Sequence, residues 1–134
     1  MKKTLTVLAA WLVFLLPLTA QGLVTVNEGR FQKGDNPAWS QVAFDDSGWQ
    51  VLALDQDWNR QGVRNANGFG WYRIHVVIPS SLKKGMTDKV LLDLGPIDDA
   101  DETWLNGKRV GKTGSNPGDP AGYVSEYSKP RHYV

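Results

Sequence analysis

Apolar and polar residues alternate over residues 71–78, with Tyr72, Ile74, Val76 and Ile78 on one side and Trp71, Arg73, His75 and Val77 on the other. Such period-two alternation, rich in β-branched residues, predicts a strand with the Tyr72 set facing a core. A second segment, residues 101–111, reads Asp-Glu-Thr-Trp-Leu-Asn-Gly-Lys-Arg-Val-Gly. Asn106-Gly107 is the dipeptide of a two-residue hairpin turn, because both positions tolerate positive φ. A turn there pairs Leu105 with Lys108, Trp104 with Arg109 and Thr103 with Val110. It puts Thr103, Leu105 and Val110 toward the core and Glu102, Trp104 and Arg109 outside, where Arg109 can pair with Glu102 and stack on Trp104. Shorter apolar runs at residues 23–26, 51–54 and 90–94 predict further strands, and residues 131–134 begin another.

Between these runs lie turn signals. Residues 31–39 hold Gly34, Asp35, Asn36 and Pro37 in succession, which predicts a turn rather than regular structure. In Phe44-Asp45-Asp46-Ser47-Gly48-Trp49 the two aspartates suit Asx-type turns, after which Trp49 re-enters the core. Calcium ligation is the alternative for this pair, but two adjacent carboxylates lack the spaced oxygen ligands of a calcium loop. Residues 55–67 are polar and read as a long surface loop, the kind of segment that carries binding residues on a rigid scaffold. Residues 113–130 hold Gly114, Pro117, Gly118, Pro120, Gly122 and Pro130, and predict a second long loop with a short paired piece at Tyr123-Val124.

The first twenty residues differ from the rest. Lys2-Lys3 precedes an almost wholly apolar stretch over residues 5–18, and Ala20 supplies a small residue at the boundary. This is the pattern of a secretory signal peptide, cleaved between Ala20 and Gln21, and it implies a periplasmic or extracellular protein. The apolar run is too short to span a bilayer comfortably, so no membrane span beyond the signal peptide is expected. One domain over residues 21–134 remains. The chain has no cysteine, which excludes a disulfide framework and a lipid anchor on cysteine. Its formal net charge of +1 includes Lys2 and Lys3, so the mature part is near neutral. That balance gives no electrostatic reason to expect nucleic acid as a partner.

No phosphate-binding loop, nucleophile elbow or paired-histidine metal motif is present, so no cofactor, no metal ligand and no catalytic residue is predicted. Asp98, Asp99, Asp101 and Glu102 supply carboxylates, but neighbours on a strand point to opposite faces. Asp101 more simply fixes the hairpin by bonding to backbone or to an arginine such as Arg131. His75, alone on a strand's outer face, reads as incidental. Tryptophan is frequent, six in 134 residues. Rings that stack on the apolar faces of sugars, beside planar polar groups, make Trp58, Asn65, Asn67, Trp71, Arg73 and Trp104 the candidate ligand-binding residues. Against this stands burial, since most large aromatics serve as core or loop anchors. Asp45, Asp46, Asp101, Asn106 and Gly107 are the candidate structural residues.

Residues 34–39, 44–49, 70–73 and 101–111, with Pro130-Arg131-His132-Tyr133-Val134, resemble the sugar-binding-like domain at the N-terminus of glycoside hydrolase family 2 enzymes, within the galactose-binding-like superfamily. Residues 94–104 are also similar to the insert domain of sialate O-acetylesterases. The resemblance implies an all-β fold, an antiparallel jelly-roll sandwich of about eight strands. It also implies further core strands beyond Val134, so the sandwich is expected to be incomplete at its C-terminal end. Family catalytic residues lie in another domain and map onto nothing here. The function implied is a non-catalytic, carbohydrate-binding-like accessory domain of an exported carbohydrate-active enzyme, with a glycan as ligand and a catalytic domain in the parent protein. The alternatives are an extracytoplasmic sensor domain joined to an output domain of a membrane signalling protein, and a purely structural β-sandwich.

Overall fold

The computed structural model describes residues 22–83 and 89–134. The predicted signal peptide lies outside the described residues, as does the glycine that closes the predicted turn after residue 79. The described chain is all-β, with one α-helical turn at Ser80–Lys83 and two 3₁₀ turns at Pro37–Ser40 and Trp58–Gln61. Seven strands form three small antiparallel sheets: β2-β1-β3, β4-β7 and β5-β6.

The first sheet is built on β1 (Glu28–Lys33), flanked by β2 (Gln50–Ala53) and β3 (Gly70–Arg73). The sequence places the opening strand at residues 23–26 and a turn from Phe31, and both expectations are corrected. The strand is Glu-Gly-Arg-Phe-Gln-Lys, whose inward positions are only Gly29 and Phe31. Gly29 is closely packed: a Cβ there would meet Ile74 Cγ1 at 3.1 Å and Tyr72 Cδ1 at 3.2 Å. Phe31 sits opposite Gln50 on one side and Tyr72 on the other. The core is Phe31, Leu52 and Val63, with Trp58 and Tyr72 packed against it. Trp58 comes from the predicted long loop, which contains a single 3₁₀ turn at Trp58–Gln61 ended by Gly62 at φ 84°. That left-handed residue turns the chain so that Val63 goes inward. From the same turn, the Gln61 carboxamide accepts from Ala53 N–H at 2.7 Å and donates to Ala53 C=O at 3.0 Å.

β3 is shorter than the alternation predicts and ends at Arg73. Tyr72 packs on the core, but Ile74 and Val76 are 39% and 48% exposed, against 87% for Val77 on the opposite side. The alternation persists as a difference in exposure. The expected core role of Ile74 and Val76 is not realised, because no second layer covers them among the described residues.

β4 (Leu92–Pro96) pairs with β7 (Pro130–Tyr133), so the last predicted strand is paired within the chain. β5 (Asp101–Leu105) and β6 (Lys108–Thr113) form the predicted hairpin, with Asn106 at φ 49° and Gly107 at φ 80°. Leu105 faces Lys108 and Trp104 faces Arg109 as expected, but Thr103 faces Gly111, not Val110. A bulge takes up the extra residue. The residue opposite Thr103 is a glycine because the Tyr133 ring of β7 occupies the space a Cβ would need. Leu105, expected in the core, is 40% exposed beside the hairpin tip.

β7 fastens its sheet to the hairpin through residues two apart. Arg131 is fully buried, and its Nε donates to Asp101 Oδ1 at 2.7 Å. The rest of the guanidinium donates to the carbonyls of Ile97, Asp99, Glu126 and Lys129. Tyr133 Oη donates to Asp101 Oδ2 at 2.9 Å and lies 2.7 Å from Thr113 Oγ1. Ser115 and Val124 form the isolated bridge expected near Tyr123-Val124.

Candidate functional site

The outward face of β1 and β3 carries Arg30, Gln32, Trp71 and Arg73, and residues 34–49 fold back over it. Asn36 begins this return by capping the 3₁₀ turn at Pro37–Ser40: its Oδ1 accepts from Ala38 N–H at 3.0 Å. Asp45 forms the predicted Asx turn, accepting from Ser47 N–H at 2.9 Å. That bond, with the Ser47 side chain, holds its carboxyl below the usual range.

Asp46 instead turns its carboxylate inward. Arg73 Nε donates to Asp46 Oδ2 at 2.7 Å, His75 Nε2 lies 2.7 Å from the same oxygen, and Arg30 Nε lies 3.6 Å from Oδ1. Burial pushes the Asp46 carboxyl up, but the hydrogen bonds and charges of His75 and Arg73 outweigh it and hold the group below its ordinary value. The Arg73 guanidinium also donates to the carbonyls of Trp39, Gln41 and Phe44. It therefore fastens the 34–49 segment to the sheet. His75, read as incidental in the sequence, is the exposed end of this network.

Around the network lies an aromatic cluster. Trp39 meets Trp49 edge-on at 5.1 Å between centroids and Trp71 edge-on at 6.1 Å, and Phe44 is 5.7 Å from Trp49. Arg73 lies over the Phe44 ring at 5.7 Å. The four rings are half-buried, and Trp71 Nε1 donates to Asp35 Oδ1 at 2.8 Å. These rings offer edges and partial faces to solvent beside a carboxylate, an arrangement suited to a polar ligand with apolar patches.

The six candidate binding residues do not converge. Trp58 is 4.9 Å from Phe31 between ring centroids and donates from Nε1 to Tyr72 Oη at 3.0 Å, so it anchors the core. Burial raises the Tyr72 phenol's pKa despite that donor. The Arg73 side chain is 11% exposed and four of its five N–H groups are engaged. Both side chains are thus engaged within the fold, Trp58 on the core and Arg73 on residues 39–46. Asn65 stands at φ 50°, and its carbonyl accepts from Lys33 Nζ. Asn67 is exposed, and Trp71 joins the aromatic cluster. Trp104 is half-buried on the hairpin, beside Arg109, whose guanidinium pairs with Glu102 at 3.4 Å. Trp39, Phe44 and Trp49 are absent from the sequence-derived candidates. Their signal was the high tryptophan count itself, which does not say which face of a sheet a turn will cover. Among the described residues no group of histidines and carboxylates could hold a metal ion.

A second feature is a depression of about 370 Å³ at the end of the first sheet. It is walled by Lys33, Gly48, Gln50, Gly62 and Arg64 over a floor of Phe31 and Val63.

No family model matches the chain, and no solved structure does. Among curated proteins, one from Formosa agariphila, provisionally named a beta-glucuronidase, is 30% identical over 111 residues. The alignment covers 74% of this chain and 10% of that protein, so the chain spans about a tenth of the length of the relative it matches.

Proposed function

We propose that this chain is a non-catalytic, carbohydrate-binding-like accessory domain of an exported carbohydrate-active enzyme, of glycoside hydrolase or sialate O-acetylesterase type. The observation that carries the reading is the alignment of three-quarters of the chain with a tenth of a much longer protein provisionally named a beta-glucuronidase. Small all-β sheets with half-exposed tryptophans fit a domain that contacts glycan or packs beside a catalytic domain. The fold proposed is the galactose-binding-like jelly-roll sandwich, with which three small antiparallel sheets are compatible. Within it the ligand face is the cluster of Trp39, Trp49 and Trp71, with Asp35 as its polar neighbour. Apolar residues left partly exposed after β3, Ile74 and Val76 among them, are suited to domain packing.

The test is titration of the folded chain with a broad panel of oligosaccharides, read by tryptophan emission. Saturable quenching or a blue shift with at least one glycan, lost on Trp39→Ala or Trp49→Ala in samples with native circular dichroism, is expected. A folded sample that responds to no glycan refutes the binding role.

A further inference from the structure

The depression at the end of the first sheet has a charge character that nothing in the fold requires. β1 and β2 pair as far as Phe31 and Gln50, after which β1 continues against β3 alone, with Lys33 opposite Gly70. The gap so opened is closed by residues 62–64, where Gly62 turns the chain to send Val63 inward and leave Arg64 outside. Lys33 Nζ is held in place by the carbonyls of Asn65 and Arg64, the latter at 3.4 Å. Its partners are neutral, so the charge is fixed in position but not compensated. Arg64 makes no hydrogen bond or ion pair through its guanidinium among the described residues. Gln50 Nε2 donates to Gln61 C=O at 3.1 Å, which orients its carboxamide along the wall. Space stands open beside Gly48 and Gly62, where a Cβ would meet nothing within 4 Å.

We infer that this depression binds a carboxylated saccharide, a uronic acid residue of a glycan chain. Two uncompensated cations in one concavity favour an anion, and the planar fork of Arg64 matches a carboxylate bidentately. The Gln50 carboxamide offers a partner for hydroxyl groups. A volume of about 370 Å³ is in the range of small-ligand pockets. The inference rests on the reading of the chain as a glycan-contacting domain and adds to it the ligand's charge and a place of contact apart from the tryptophan cluster.

Isothermal titration calorimetry of the full chain with trigalacturonate and with maltotriose tests it. Trigalacturonate is expected to bind about tenfold more tightly than maltotriose, the worth of one charge-assisted pair. The difference is expected to shrink as salt is raised and to vanish in Arg64→Gln, an exposed and unpartnered position whose replacement leaves the fold intact. Equal binding of the two trisaccharides, or a preference that survives Arg64→Gln, overturns the inference and leaves the glycan-contact reading standing. Full displacement of trigalacturonate by an equal concentration of inorganic phosphate also overturns it, since the site is then one for simple anions. If neither trisaccharide nor any glycan of the broader panel binds, both readings fall.

Discussion

Replacing Asp101 with Asn tests whether the joint between β7 and the hairpin is the electrostatic centre of its half of the chain. The Arg131 guanidinium has no exposed surface, and Asp101 Oδ1 at 2.7 Å is its one anionic partner, the other four being carbonyls. Asn keeps the shape of the side chain and one acceptor for Arg131 Nε and Tyr133 Oη, and removes the charge together with the acceptor that Oδ2 offers Thr103 Oγ1. A buried cation left without its counter-charge costs about 3–5 kcal/mol. At an m-value of about 2 kcal/mol/M in urea, the unfolding midpoint should fall by about 2 M. The assay is urea unfolding followed by far-UV circular dichroism. Arg131→Lys is the companion variant. It keeps the charge beside Asp101 but cannot reach four carbonyls at once, and should cost about 2–3 kcal/mol through the acceptors it orphans. A midpoint shift below about 0.5 M for Asp101→Asn, at unchanged m, would refute the assignment of Arg131 and Asp101 as an energetically coupled buried pair.

Acidification should loosen the 34–49 segment below the ordinary carboxylate range. Asp46 has a folded pKa below its unfolded value, so its contribution is present above the unfolded value and is lost as pH falls through the folded one. Tryptophan emission followed from pH 6 downward should show this loss, and Asp46→Asn should be already destabilised at pH 6 with a flatter acid limb. His75→Ala, at the exposed end of the same network, should cost no more than about 1 kcal/mol in thermal unfolding. Gly70→Ala should destabilise by about 1–3 kcal/mol, because the new Cβ would lie 2.5 Å from both Phe31 Cε2 and Trp58 Cη2. Gly48→Ala, with nothing within 4 Å, is the control and should lie within about 0.5 kcal/mol of the parent in the same melts.

Residues whose structure depends on near neighbours were legible in the sequence. The Asn106-Gly107 turn, the Asx turn at Asp45 and the strand at β2 follow from local chemistry, and the pairing of Asp101 with Arg131 from a charge in need of a partner. What escaped depends on distant packing. β1 has only Phe31 as a large inward residue, so no periodic apolar signal marked it. The bulge at Val110 sits next to Gly111, over which lies the ring of Tyr133, twenty-two residues further along the chain. Nothing local reveals that residues 34–49 close over Arg73, or that Phe31 and Tyr72 receive Trp58. Arg64 and Lys33 are ordinary surface cations until the Lys33–Gly70 pairing draws the loop back across the strand.

The Gln61 carboxamide gives the first sheet a direction of growth. By offering Ala53 both a donor and an acceptor, it behaves as one residue of a fourth strand and fills the outer side of β2 at that point. An incoming strand would have to displace two hydrogen bonds to add there. β3, on the opposite margin, has no strand beyond it among the described residues and is followed by Ile74 and Val76 on one side of the backbone. Any extension of this sheet, by a neighbouring domain or by another copy, is thereby steered to the β3 margin, and the same asymmetry tells where a misfolded assembly would begin.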